Sequence, residues 1–284
     1  MDAAHEQTPT QGMSALLADT LRQQRRDVET RPLPWIQALR HSHETLSSLV
    51  LDLDVEQLQG PSYCSGWSIA QVLAHLGSQA EIFGLFLDAG LGGTEPPGRE
   101  AFAPIWEAWN ARSPQAQVDE ALEANDAVIE RFESLDDDAR TRLHLELFGM
   151  ALDTTGLLRM RLGEHAVHTW DIAVALDPGS TVANDAVDLL VDTLDELAAR
   201  VGKPDGTTQD VRIATSNPQR HFCLEIGDSI ALHASERDDR PPTLAIRAEG
   251  LLRLVYGRLD PANTPPIAVD GIDIAALRRI FPGM

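Results

Sequence analysis

Residues 163–173, GEHAVHTWDIA, set a glutamate, two histidines and an aspartate in a stretch otherwise made of Leu, Met, Ala, Val and Trp. An α-helix turns about 100° per residue, so Glu164 and His168 lie about 40° apart with Cβ atoms roughly 5–6 Å from each other. Asp171 falls within about 20° of Glu164 on the same wheel, and Arg161 about 60° from it. The surrounding Leu157, Leu158, Leu162, Val167, Trp170, Ile172 and Val174 make this helix apolar around most of its circumference, which predicts that it is enclosed. An enclosed carboxylate is neutralised, paired or bound to a metal, because an unpartnered buried charge costs several kcal/mol. Glu and His on one helical face is the arrangement of metal sites inside helical bundles, where a carboxylate oxygen and an imidazole nitrogen converge.

A third ligand must come from another element. His75 is the best candidate: it borders the apolar stripe of an earlier helix and faces a neighbouring helix rather than open water. His75, Glu164 and His168 would form a His–Glu–His site with a fourth position open, which is the pattern of catalytic rather than structural sites. Spacing alone leaves other readings open. Glu164 with His168, and Arg161 with Asp171, equally fit buried ion pairs. His165 is a substitute ligand about 100° round from Glu164. His43 lies on its own helix's apolar face and reads first as a packed core histidine. Cys64 is a candidate nucleophile with no histidine near it in sequence, and Cys223, on a strand, reads as packing. The segment is not the HExxH of zinc proteases, since its histidines are three apart and the glutamate precedes both.

The elements that position these residues follow from periodicity. A helix is expected from about 34 to 52. A second begins at CSGWSIAQVLAHL, where Ser68 and Gln71 have capping-box spacing, each side chain satisfying an orphan backbone donor. Ser113 and Pro114 mark the start of a third, which stops before Asp136–Asp138. The fourth runs from about 154 to 176 and carries the opening segment. Four such helices predict an all-α four-helix bundle over residues 33–178. Beyond the linker DPGSTVAND, a helix over 185–201 precedes short alternating runs (VRIATS, HFCLEI, SIALHA, TLAIRA), then helical GLLRLVYGRL, strand-like PIAVDG and helical IAALRRIF. This predicts a smaller α+β domain over 183–284. Residues 1–32 read as an extension with one helix near 15–24.

The charge balance restricts partners. With 44 acidic and 23 basic residues, a formal net charge of −21, the chain repels phosphate backbones and anionic membrane surfaces, so no nucleic-acid or membrane partner is expected. No secretory signal is visible at the N-terminus, and a cytoplasmic location is the expectation. Two distant cysteines give neither a disulfide framework nor a thiolate metal site. Lys203 is the sole lysine, a coding bias of GC-rich genomes.

The pair GPSYCSGWSIAQVLAHLGS and RLGEHAVHTWDIAVAL resembles the metal-binding helical domain of the mycothiol-dependent maleylpyruvate isomerase family, within the DinB-like superfamily. AEGLLRLVYGRLDP and the closing FPG are similar to that family's smaller, sterol-carrier-like C-terminal domain. The resemblance spans about residues 33–283. It implies His75, Glu164 and His168 as ligands of zinc or another divalent metal, an up-down-down-up bundle, and mycothiol as cosubstrate. An open metal position can accept a thiol in place of water and lower its pKa. The thiolate would then be transferred to an electrophilic small-molecule substrate, or exchanged on a biosynthetic intermediate. Alternatively it would add and leave again in a cis–trans isomerisation of maleylpyruvate type. Arg161 and Asp171 would orient ligands or substrate, and Arg258 would bind the cosubstrate or a substrate carboxylate, although Arg253 and Arg258 also fit as solvated helix residues. The competing class is a non-catalytic protein that binds a metal or small ligand.

Overall fold

The computed structural model describes residues 31–236, 241 and 243–283; the helix expected near 15–24 lies outside them. Four long helices dominate the first part: α1 (Pro32–Val50), α3 (Ile69–Gly90), α5 (Pro114–Ser134) and α7 (Thr154–Leu176), with α2 (Val55–Gln59), α4 (Phe102–Asn110) and α6 (Asp137–Arg142) in the connections. Local chemistry sets their ends. Ser68 accepts from Gln71 N while the Gln71 side chain accepts from Ser68 N, closing the capping box that starts α3. Ser113 caps α5 with Pro114 at its first position. Asp153 caps α7 by accepting from Gly156 N at 2.7 Å. Helix α1 packs on α7 and α5, and α3 packs on α5 and α7, so every long helix has two long neighbours. Their shared interior holds Trp35, Leu39, Phe83, Leu87, Ile129, Phe132, Leu158 and Leu162.

A hairpin of β1 (His144–Leu147) and β2 (Met150–Asp153) stands between α6 and α7. The periodicity gave no warning of it. Its two-residue turn is Phe148-Gly149, both at positive φ, the backbone that matches the twist of the paired strands; Phe148 takes the position where asparagine is usual.

The second part is α+β. After α8 (Asn184–Leu190) and α9 (Leu194–Val201) come β3 (Gln209–Ser216), β4 (Arg220–Ile226), β5 (Ile230–Ala234), β6 (Leu244–Arg247), α10 (Ala248–Val255), β7 (Ala268–Val269) and α11 (Ile274–Ile280). The sheet order is β5-β4-β3-β6-β7, with β3 and β6 parallel and the other pairs antiparallel. Val211, Ile213, Phe222, Leu224, Ile230 and Leu232 point to the buried face, and helices α9 and α10 pack against the sheet. The single helix expected over 185–201 is two, separated by a 3-10 turn at Val191–Thr193. Only two residues of PIAVDG pair as a strand.

The two parts share one continuous core, and in one place they approach very closely. A Cβ built on Gly163 of α7 would lie 2.3 Å from the Tyr256 hydroxyl just beyond α10, so a larger residue there would force that hydroxyl to shift. Among the described residues, no helix is long and apolar enough to cross a membrane.

Candidate metal and thiol site

The side chains of His75, Glu164 and His168 meet where α3 faces α7. Glu164 Oε2 lies 3.5 Å from His75 Nε2 and 3.7 Å from His168 Nε2. The three donor atoms all lie within 4.8 Å of one another, and the two imidazole rings meet edge-on with centroids 4.7 Å apart. Helix α7 supplies two donors through its i,i+4 spacing, and α3 supplies the third.

The electrostatics suit a cation here. Burial works to raise the Glu164 carboxyl, but the hydrogen bond from His75 and the nearby His168, His75 and Arg161 outweigh it and bring its pKa to about 2. Burial holds His75 below the ordinary histidine range against the pull of Glu164, so its ring is neutral at pH 7, the form that donates a lone pair. His168 Nδ1 lies 2.8 Å from Asp171 Oδ2. That contact fixes the proton on Nδ1 and turns the Nε2 lone pair toward Glu164, as carboxylates behind metal-binding histidines do. A three-donor N₂O set with one carboxylate fits zinc or a similar divalent ion.

Behind His168 is a second layer. Asp171, with no exposed surface, accepts from Arg258 Nε at 3.3 Å and Arg258 Nη2 at 3.2 Å. It also accepts from Cys64 Sγ at 3.1 Å. Burial would raise the Asp171 carboxyl, yet the hydrogen bond from His168 and the charge of Arg258 hold it below the usual range. Cys64, Asp171 and His168 Nδ1 form a second cluster with metal-ligand chemistry, but the Arg258 guanidinium already occupies the cationic position beside it.

Cys64 reaches this place because its loop is tied at several points. Ser62 N donates to Trp67 O, Tyr63 N donates to Asp171 O, and Trp67 N donates to Cys64 O, while Gly66 takes φ +80° to make the turn. Cys64 has no histidine near it in sequence, yet the fold sets its sulfur 3.9 Å from His168 Nδ1. Only its position just before the capped helix hinted at this. Burial first, then Asp171, pushes its thiol up to about 12, so almost none is thiolate at pH 8. Iodoacetamide at pH 8 should therefore alkylate Cys64 far more slowly than free glutathione, with the rate climbing as pH rises toward 12. Peptide mass spectrometry against time checks this.

Other expected residues go elsewhere. Arg161, expected to orient ligands or substrate, is wholly buried; its Nη2 donates to Leu76 O at 3.3 Å and to Asn125 Oδ1. The rotation that separates it from the Glu164 stripe turns it toward α3 and α5, so its charge acts on Glu164 only through space. Burial lowers its pKa to about 10. His165 bonds Ser42 Oγ at 2.8 Å inside the helical core, and His43 packs edge-on against it; neither joins the donor trio. Arg253 and Arg258 are not solvated helix residues. Arg253 is 3% exposed and paired with Glu249. Arg258 lies beyond the end of α10, with its side chain against Asp171.

His75 and His168 line a cavity of about 970 Å³ between the two parts of the chain, with Glu164 behind them. Tyr63, Cys64, Trp67, His75, His168 and Val174 line the helical side, and Gly257, Arg258, Asp260, Asn263, Pro282 and Gly283 the other. Trp67 leans against His75 with ring centroids 5.4 Å apart and forms one lip.

Comparison with known proteins agrees with this architecture. The solved structure of the mycothiol-dependent maleylpyruvate isomerase superposes with a TM-score of 0.60 at 15% identity, covering 80% of this chain and 90% of that one. A histidine-to-alanine variant of that isomerase matches to the same degree. YfiT from Bacillus subtilis, a probable metal-dependent hydrolase, covers 51% of this chain and 85% of its own at 18% identity, with a TM-score of 0.41. No curated protein sequence matches the chain significantly. The sequence model described as the mycothiol maleylpyruvate isomerase N-terminal domain matches residues 39–173, the span that holds all three donors and Asp171. The helical part of the chain, over residues 39–173, is thus similar to the mycothiol maleylpyruvate isomerase N-terminal domain, and the fold as a whole is similar to that of the isomerase.

Proposed function

We propose that the chain is a divalent-metal enzyme that uses a low-molecular-weight thiol, mycothiol by its likeness to the isomerase's N-terminal domain, and transfers its sulfur to an electrophilic small molecule. The observation that carries this reading is the convergence of His75, Glu164 and His168 on one another, with both histidines lining a cavity large enough for a thiol and a second reactant. The four long helices then act as a DinB-like bundle holding zinc or a similar ion between α3 and α7. A divalent ion at these donors supplies the Lewis acidity that lets a thiol ionise near neutral pH.

The chain's own groups do the rest. Glu164 gives the site one negative charge, and His75 stays neutral to donate a lone pair. Asp171 holds the Nδ1 proton of His168, and Arg258 holds Asp171. Trp67 and Tyr63 narrow the mouth and keep water from competing with the thiol. In S-transfer, the sulfur bonds to the electrophilic carbon, the leaving group departs with its electron pair, and the thiol proton goes to that group or to solvent.

A second reading is cis–trans isomerisation, in which the sulfur adds to a conjugated alkene and is eliminated again. The likeness of residues 39–173 to the mycothiol maleylpyruvate isomerase N-terminal domain favours it. Both readings require thiol, whereas hydrolysis by activated water and simple ligand binding do not. The test is turnover of an electrophile panel by zinc-loaded protein with and without mycothiol, read by mass spectrometry. Thiol–electrophile adducts formed catalytically support S-transfer, and a trans product with the thiol returned supports isomerisation. Activity without thiol, or none with it, rejects the proposal.

A further inference from the structure

Resting on that reading, we infer that Arg161 biases the metal site from behind. Its buried charge competes with the ion for Glu164, so the ion is held less tightly and its open position favours an anion, such as a thiolate, over water. Arg161 has no exposed surface, and the acceptors it reaches are neutral, the Leu76 carbonyl and Asn125 Oδ1. Its Nε and Nη1 have no partner among the described residues, and the Phe83 ring centroid lies 5.5 Å from its Cζ. A buried cation without a carboxylate of its own is costly, and an apolar side chain of similar volume is usually the more stable choice. The charge therefore calls for a reason other than packing. The carboxylate whose field reaches the guanidinium is Glu164, three residues along α7. Glu164 is thus both the counter-charge of Arg161 and the one anionic donor of the trio. The field of Arg161 also falls on His75, so it spans both helices that supply donors.

Around the trio, Arg258 cancels Asp171 and Arg161 cancels Glu164. With both histidines giving lone pairs as neutral rings, these fixed charges sum to zero before a divalent ion arrives and to two positive charges after it. An anion in the open position lowers that excess and a water does not, in surroundings where low dielectric strengthens every charge. With an apolar residue at position 161, Glu164 would belong to the ion alone and one positive charge would remain. The ion would then bind more tightly and draw an anion less strongly. These two effects run in opposite directions, which a residue serving packing alone would not produce.

Zinc affinity is measured by competition with a chromophoric chelator. Anion affinity is measured by azide titration of the cobalt(II)-loaded protein, followed in the visible absorption of the ion. Neither needs thiol, electrophile or turnover. Arg161→Met and Arg161→Gln should bind zinc about tenfold more tightly or better, and azide about threefold more weakly or worse, than the unaltered protein. The zinc change is the larger because Coulomb energy scales with the product of the charges, and the ion carries twice the charge of azide. Asn125→Asp keeps the arginine and gives its Nη2 a carboxylate, and should move both affinities the same way, so the test does not depend on the Arg161 variants folding. Zinc bound no more tightly in Asn125→Asp, azide bound as tightly in it as in the unaltered protein, or no azide uptake by the unaltered cobalt protein overturns the inference and leaves the metal site standing. An unaltered protein that takes up no zinc removes the site and the inference together.

Discussion

His168→Ala is expected to abolish stoichiometric zinc binding and, with it, thiol-dependent turnover. Three properties concentrate the effect on this residue. Its Nε2 lies within reach of both Glu164 and His75, its Nδ1 is anchored by Asp171 at 2.8 Å, and it is 8% exposed. Removing a group that merely orients a ligand typically costs about 10–100-fold in metal affinity. Losing the ligand itself should cost more than about 100-fold, leaving two donors that cannot enclose the ion. The measurement is metal content after dialysis against a weak chelator, beside a circular dichroism spectrum that shows the helices intact. Asp171→Asn is the graded control, because its loss of affinity should fall inside the 10–100-fold range. Zinc retained at one per chain by His168→Ala would remove the proposed site.

The second large effect is on stability. Glu249 and Arg253 on α10 form a bidentate pair, Nε to Oε2 at 2.7 Å and Nη2 to Oε1 at 3.1 Å, with side chains 2% and 3% exposed. Glu249→Ala would leave the guanidinium buried with no carboxylate, and should cost about 3–5 kcal/mol. The neighbourhood cannot absorb the change. Arg253 stacks over Trp170 of α7 at 4.6 Å, and its Nη1 donates to Asn263 O at 2.7 Å and Arg258 O at 3.3 Å. The pair thus pins the segment that carries Arg258 against the helical part. Urea unfolding at fixed zinc checks the magnitude. A double Glu249→Leu, Arg253→Met variant should be less destabilised than Glu249→Ala, since replacing both charges removes the desolvation cost as well as the attraction. A single-variant loss below about 1 kcal/mol would mean that the pair is not insulated from water.

Much of the helical part is legible in the amino-acid pattern, because helix periodicity and capping act over a few residues. Ser68 with Gln71, Ser113 with Pro114, and the stripe of Glu164, His168 and Asp171 are of this kind. Proximity across long separations is not local and left no trace. Cys64 meets Asp171 across 107 positions, and Arg258 meets it across 87; only the packing of the 61–67 loop and of the segment after α10 brings them together. Arg161 shows the same limit in reverse. Its place on the helix was readable, but which neighbour would accept its guanidinium depended on Asn125 and the Leu76 carbonyl. The Phe148-Gly149 hairpin was missed because its left-handed turn lacks the usual asparagine and its strands are only four residues each.

The wall of the cavity is assembled from two stretches of chain with separate histories available to them. Every proposed donor sits on α3 or α7, while Gly257, Arg258, Asp260, Asn263, Pro282 and Gly283 come from loops near the C-terminus. Drift or exchange in those loops can retune what is accepted while the ion and its sulfur chemistry pass down unaltered. Gly163 sets the toll on such divergence, since a side chain there would collide with the Tyr256 hydroxyl unless that group moved or was lost.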